Sequence, residues 1–82
     1  MTFEELYERL TLKRNSGVAY IIKEYMTMKT HKDDDIINRD YFIRGTLWGL
    51  YAGEIISDDE REDLEKILHG IMDDWVENGI EE

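Results

Sequence analysis

The sequence predicts an all-α fold, a compact bundle of about four helices forming one domain over residues 1–82. Three observations carry that prediction. Apolar residues recur at helical spacing in four separate stretches. Two Ser/Thr-x-x-Glu capping boxes, Thr2 with Glu5 and Ser57 with Glu60, head the first and last of them. Proline is absent, which leaves glycine and short polar runs as the punctuation. Helices are expected over about 3–14, 17–30, 37–52 and 58–78.

In the first helix, Met1 and Leu6 stand at the staple positions around the cap. Phe3, Leu6, Tyr7 and Leu10 make one apolar face, and Lys13 and Arg14 suit a last turn, where cations complement the helix dipole. Asn15-Ser16-Gly17 breaks the run. In the second helix, Val18, Ile21, Ile22, Tyr25 and Met28 fit a 3.6-residue period. The stretch Val18-Ala19-Tyr20-Ile21-Ile22 is also β-prone, so a short strand over 18–22 is the competing reading. Continuation of the helical spacing beyond it favours the helix. His31-Lys32-Asp33-Asp34-Asp35 reads as a polar loop.

The third helix is apolar on most sides, with Ile37, Tyr41, Phe42, Ile43, Leu47, Trp48, Leu50 and Tyr51, as expected of a central or interface helix. Gly45, Gly49 and Gly53 recur every fourth residue. Each glycine inside the helix costs up to about 1 kcal/mol relative to alanine, so a neighbouring backbone or ring is expected against that stripe. Gly53 is placed to end the helix in a left-handed conformation. In the fourth helix, Leu64, Ile67, Leu68, Ile71, Met72 and Trp75 form a regular stripe, and Gly79 is the expected stop. That stripe must dock on Leu47, Trp48, Leu50 and their neighbours, because burial of one face does not offset the entropy of ordering the helix.

Charge is distributed unevenly. The chain carries 20 acidic and 10 basic residues, a formal net charge of −10. Eleven of the acids fall in the last 26 positions, from Ser57 onward, where only Arg61 and Lys66 oppose them, leaving −9. The preceding body is nearly neutral. Such a local field selects a basic partner and disfavours nucleic acid and anionic membranes. Along Ser57–Asn78, about 33 Å of helix, nine acids face two bases. That approaches the charge spacing of a single nucleic-acid strand. Asp58, Asp59 and Glu60 suit a helix start on dipole grounds, and Glu62 with Lys66 is an i, i+4 pair. The excess lies in Asp63, Glu65, Asp73, Asp74, Glu77, Glu81 and Glu82, the residues expected to form a partner-binding face. Tyr41, Trp48, Tyr51 and Trp75 are core aromatics or, where exposed, the apolar anchors of an interface. The bases of the body, Lys13, Arg14, Lys23, Lys29, Arg39 and Arg44, are available to pair with the acidic helix of this chain or of a second copy.

No catalytic, cofactor or metal site is expected. Asp33, Asp34 and Asp35 lack the alternating oxygen ligands and turn glycine of a calcium loop. His31 and His69 belong to no close His/carboxylate motif, so zinc is not expected either. Cysteine is absent, in keeping with a reducing, cytoplasmic setting, and no apolar run approaches the length of a membrane span.

The stretch from Tyr41 to Glu60, with Arg44-Gly45-Thr46-Leu47-Trp48-Gly49-Leu50-Tyr51 followed by Gly53-Glu54-Ile55-Ile56-Ser57-Asp58-Asp59-Glu60, resembles a pattern in small phage and prophage proteins. There an aromatic and glycine-rich helix turns through G-x-I-S-x-x-E into an amphipathic one. The short, acidic, cysteine-free, helical character is similar to phage-encoded inhibitors of host proteins, including anti-CRISPR proteins and DNA mimics. The resemblance implies a non-enzymatic inhibitor or modulator in the host cytoplasm, presenting its acidic helix to a basic, nucleic-acid-handling protein. The alternative is a structural or regulatory homo-oligomer, such as a homodimer, with the 37–52 helix as its interface.

Overall fold

The first capping box forms as its spacing predicts. Thr2 Oγ1 accepts from the Glu5 N–H at 3.2 Å, and Glu5 Oε1 accepts from the Thr2 N–H at 3.0 Å. In the computed structural model, which describes residues 1–27 and 33–78, this cap opens α1 (Phe3–Leu12). It is followed by α2 (Ser16–Thr27), α3 (Asp33–Ala52) and α4 (Asp58–Asn78). The second capping box opens α4: Ser57 Oγ accepts from the Glu60 N–H at 3.1 Å, and Glu60 Oε1 accepts from the Ser57 N–H at 2.9 Å.

The strand alternative at 18–22 falls. Ala19 and Ile22 are buried while Tyr20 and Ile21 face solvent, an i, i+3 pattern rather than alternation. The third helix starts at Asp33, four residues before the expected Ile37. The aspartate run, read as loop polarity, is the residue type that a helix N-terminus favours. The remainder of the expected second helix, with Met28 and Lys29, lies outside the described residues, as do His31 and Gly79.

Two helices end in the same way. After α1, the Arg14 N–H donates to Thr11 O at 3.1 Å and the Asn15 N–H to Leu10 O at 2.7 Å. After α3, the Glu54 N–H donates to Tyr51 O at 3.0 Å and the Ile55 N–H to Leu50 O at 2.9 Å. Both are Schellman closures. Their left-handed residues are Arg14 (φ 61) and Glu54 (φ 63). Gly53, expected to take that conformation, lies one residue before it. A side chain in this region costs about 1–2 kcal/mol. Ile55 and Ile56 then pack onto the core, and their burial offsets that cost.

α1 packs with α2, α3 with α4, and α2 joins the two pairs by contact with α3. The shared core holds Leu6, Leu10, Ile22, Ile43, Leu47, Leu64 and Leu68, all fully excluded from solvent. α4 docks on Leu47 and Leu50 as expected, whereas Trp48 stays half exposed. A smaller cluster at the far end of the α3/α4 pair contains Ile36 and Trp75, with Met26, Ile71 and Met72 against it. The Arg39 guanidinium lies 5.5 Å from the Trp75 ring centroid. The glycine stripe does not receive the expected neighbour: a Cβ built at Gly45 or Gly49 would meet nothing within 4 Å. Those two glycines lie on the outer face of the bundle.

Candidate functional site

At 3.6 residues per turn, the inward side of α4 carries Arg61, Leu64, Leu68 and Trp75, all buried. The opposite side carries Asp58, Asp59, Glu62, Asp63, Asp73, Asp74 and Glu77, all exposed, with Lys66 among them. Three arginines then divide the helix into unlike halves.

Arg9 reaches from α1 and chelates Glu60, with Nη1 to Oε1 at 2.7 Å and Nη2 to Oε2 at 2.8 Å, while Nη1 also donates to Ile55 O at 3.2 Å. The Arg9 hydrogen bonds, followed by the Ser57 N–H, hold the Glu60 carboxyl down to about 2. Arg44 on α3 donates through Nε to Asp40 at 2.8 Å and approaches Glu65 at 3.7 Å. Arg61 bonds Asp58 at 2.9 Å and Glu65, and stands 3.8 Å from Glu62. Its buried guanidinium lies 4.0 Å from the Trp48 ring centroid. Glu62 thus turns to Arg61 rather than to the expected partner Lys66. In the first half of α4, Glu60 and Glu65 are neutralised inside the chain.

The second half carries no such arginine. Asp73, Asp74 and Glu77 are exposed, and no Lys or Arg among the described residues lies within ion-pair distance of them. His69 Nε2 stands 3.6 Å from Asp73, and Asn78 donates to Asp74 at 2.9 Å.

Of the expected acidic face, Asp63, Asp73, Asp74 and Glu77 therefore point to solvent, with Asp63 accepting from the Met1 amino group at 3.1 Å. Glu65 is half-buried between Arg44 and Arg61, so it leaves that set. Glu81 and Glu82 lie outside the described residues. Of the expected anchors, Trp75 is buried in the small cluster and is removed from the exposed set. Tyr41, Trp48 and Tyr51 remain exposed, at 71%, 50% and 38%.

Those three belong to a larger surface. Beyond its first turn, the exposed residues of α3 are Ile37, Asn38, Tyr41, Phe42, Gly45, Trp48, Gly49, Tyr51 and Ala52. None is charged, although charged residues make up 37% of the chain. The charged residues of that stretch, Arg39, Asp40 and Arg44, turn toward the body. Trp48 and Tyr51 meet edge-on at 5.8 Å, and Phe42 stacks on Tyr25 of α2 at 3.9 Å, so both sides of the face are braced. Arg61, lying on Trp48 and holding Asp58, joins this apolar face directly to the acidic one.

By charge alone Arg61 is only a base among the acids of α4, and nothing in the sequence marks a role for Arg9. The signal for Arg61 was its position: it falls in register with Leu64, Leu68 and Trp75 at i+3, i+7 and i+14. Arg9 is locally indistinguishable from a solvated base, because its partner lies 51 residues away.

Among the described residues, no group of three His, Cys, Asp or Glu side chains converges to hold a metal, and no helix is long and apolar enough to cross a membrane. No protein-family model, curated protein or solved structure matches the chain.

Proposed function

We propose that this protein is a non-enzymatic binding module that docks on another protein through the outer face of α3, with the acids of α4 as its rim. The observation that carries the reading is the uncharged, aromatic outer face of α3 set directly beside the carboxylates of α4. Stable interfaces combine a desolvated aromatic centre with a charged rim. Here Tyr41 and Trp48 supply the centre, and Asp58, Glu62 and Asp73 the rim. The rim sets the partner's chemistry: an apolar cleft bordered by Lys and Arg, as on proteins that handle nucleic acid. The resemblance to phage-encoded host inhibitors gives the same direction, toward a module that occupies and blocks a basic surface. Charge accelerates the encounter, and the aromatic face determines residence time.

The homo-oligomer reading uses the same α3 face. Against it stands the formal charge of −10 on each copy, which repels a second copy at low salt. Sedimentation equilibrium at low and moderate salt distinguishes the two, with a monomer expected.

The test is capture from the native host, purification of the main partner and stopped-flow kinetics. Trp48→Ala with Tyr41→Ala should raise the dissociation rate. Asp73→Asn with Asp74→Asn and Glu77→Gln should lower the association rate and flatten its salt dependence. A partner whose kinetics ignore both sets of changes overturns the proposal.

A further inference from the structure

Resting on that reading, we infer that the partner element received by α3 is an amphipathic α-helix whose flank toward α4 is basic. The outer face of α3 has the relief of a furrow. Gly45 and Gly49 form its floor, with open space where their side chains would stand. Trp48, under Arg61, rises on the α4 side, Phe42, held by its stack on Tyr25, on the α2 side, and Tyr41 stands exposed one turn before Gly45. The uncharged face from Ile37 to Ala52 runs about 22 Å along the helix, or about four turns, with the furrow at Gly45 and Gly49. A partner helix of the same length lies along it, with its backbone brought close over the glycines and its apolar residues at i, i+3, i+4 and i+7 between the rings.

Other elements fit less well. A partner strand gains affinity from unpaired backbone groups, and the interior of α3 offers none because its N–H and C=O groups are used within the helix. Nucleic acid and anionic lipid are repelled by Asp58, Glu62 and the unpaired acids farther along α4. Asp58 and Glu62, each about half exposed beside the buried Arg61 that covers Trp48, border that side of the furrow, so Lys or Arg on the near flank of the incoming helix meets opposite charge. A second copy of this chain brings no comparable basic flank, since its own α3 is uncharged on that side.

The experiment uses the intact protein and two synthetic probes of equal composition, labelled for fluorescence anisotropy. One is an amphipathic helix-forming peptide of about 18 residues with a Leu/Ala face and lysines on one flank. The other has the same residues in scrambled order. The amphipathic peptide should bind at least about tenfold more tightly than the scramble and weaken several-fold between about 50 and 200 mM salt. Gly45→Leu, whose Cβ would meet nothing within 4 Å, puts a side chain into the furrow and should weaken it by about tenfold or more. Gly17→Ala, outside the furrow, should leave it unchanged. Circular dichroism confirms that each variant is folded. Equal binding of the two peptides, binding of neither, or binding indifferent to Gly45→Leu overturns the helix-docking inference. If the captured partner still depends on Trp48 and Tyr41 in that event, the proposed function stands and only the docking element is wrong.

Discussion

The outward faces of α3 and α4 lie side by side and have opposite chemistry. Beyond its first turn α3 exposes rings, glycines, Ile37, Ala52 and one asparagine, while α4 exposes mainly carboxylates, with Lys66, Ile67, His69 and Val76 among them. Their inward faces both contribute aliphatic residues to the same core. What separates the two helices is therefore where their charged residues point. α3 turns Arg39, Asp40 and Arg44 toward the body, leaving its outside oily. α4 keeps its acids outside, except Glu60 and Glu65, and turns Arg61 inward. A fold serving only its own stability has no need of an uncharged outer surface on a four-turn helix, and that contrast is the basis for assigning the surface to recognition.

The sharpest way to break the comparison is to cut adjacent residues on α3. Leu47 is fully buried in the shared core. Leu47→Ala should cost about 2–4 kcal/mol through lost burial and the cavity left behind. Trp48→Ala, one residue on and half exposed, should cost about 1 kcal/mol or less while removing the slow dissociation of the partner. Urea unfolding measures both. Equal costs at the two positions would mean that Trp48 is a core residue and that the outer face is not free for binding.

The second contrast lies within α4, between its arginine-paired and unpaired acids. Glu60 is chelated by Arg9 and held down to about 2 from an ordinary value of 4.5. Because the folded value is the lower one, Glu60 adds stability above about 4.5, and that contribution is lost as the pH falls toward about 2. Allowing for solvent screening of a partly exposed pair, Glu60→Gln should cost about 1–2 kcal/mol at neutral pH and flatten the acid limb of the stability profile. Glu77→Gln should change neither by more than about 0.5 kcal/mol. Urea titrations from pH 2 to 7 on both variants separate them, and coincident profiles would show that the Arg9 chelate has no weight in solution.

How much of this was legible in the sequence depends on the range of the interaction. The capping boxes Thr2/Glu5 and Ser57/Glu60 are three-residue signals and form as read. The stripe of α1 and that of α4, except for the exposed Ile67, find the core because a 3.6-residue period settles which side is buried. The α3 pattern could not be read in that way. Its apolar residues lie on all sides, so periodicity does not distinguish Leu47, which is buried, from Trp48, which is not. The glycine stripe misleads for the same reason: its spacing implies a close approach without saying on which side, and the open space faces outward. Residue type points to Gly53 for the left-handed turn, because it marks the region of the turn but not which residue adopts the strained conformation, here Glu54. The Arg9–Glu60 chelate was invisible because it joins distant segments.

The glycines give a further test, with a smaller effect and the opposite sign. Since a Cβ at Gly45 or Gly49 would meet nothing within 4 Å, Gly45→Ala should stabilise the protein by about 0.5–1 kcal/mol through helix propensity. Gly70→Ala, at an equally open position on α4, should give a similar gain. A destabilising Gly45→Ala would place an occupant over the α3 furrow in the isolated protein, and a second copy would be its source.

Charge removal on the unpaired half of α4 should move stability least. Asp73→Asn, Asp74→Asn and Glu77→Gln together remove three exposed carboxylates that no Lys or Arg among the described residues pairs. Relief of their mutual repulsion and the loss of the weak His69–Asp73 contact nearly cancel, so the change in unfolding free energy should stay within about 0.5 kcal/mol. These acids also lie toward the C-terminus of the helix, where negative charge opposes the dipole, so the sign should be slightly stabilising. Natural selection for stability alone would then favour their loss. The triple variant, measured by urea unfolding at low and high salt, should be at least as stable as the parent at low salt and converge with it as salt rises. A loss of 1 kcal/mol or more would mean that these carboxylates hold the fold together, and the contrast between the paired and unpaired halves of α4 would collapse.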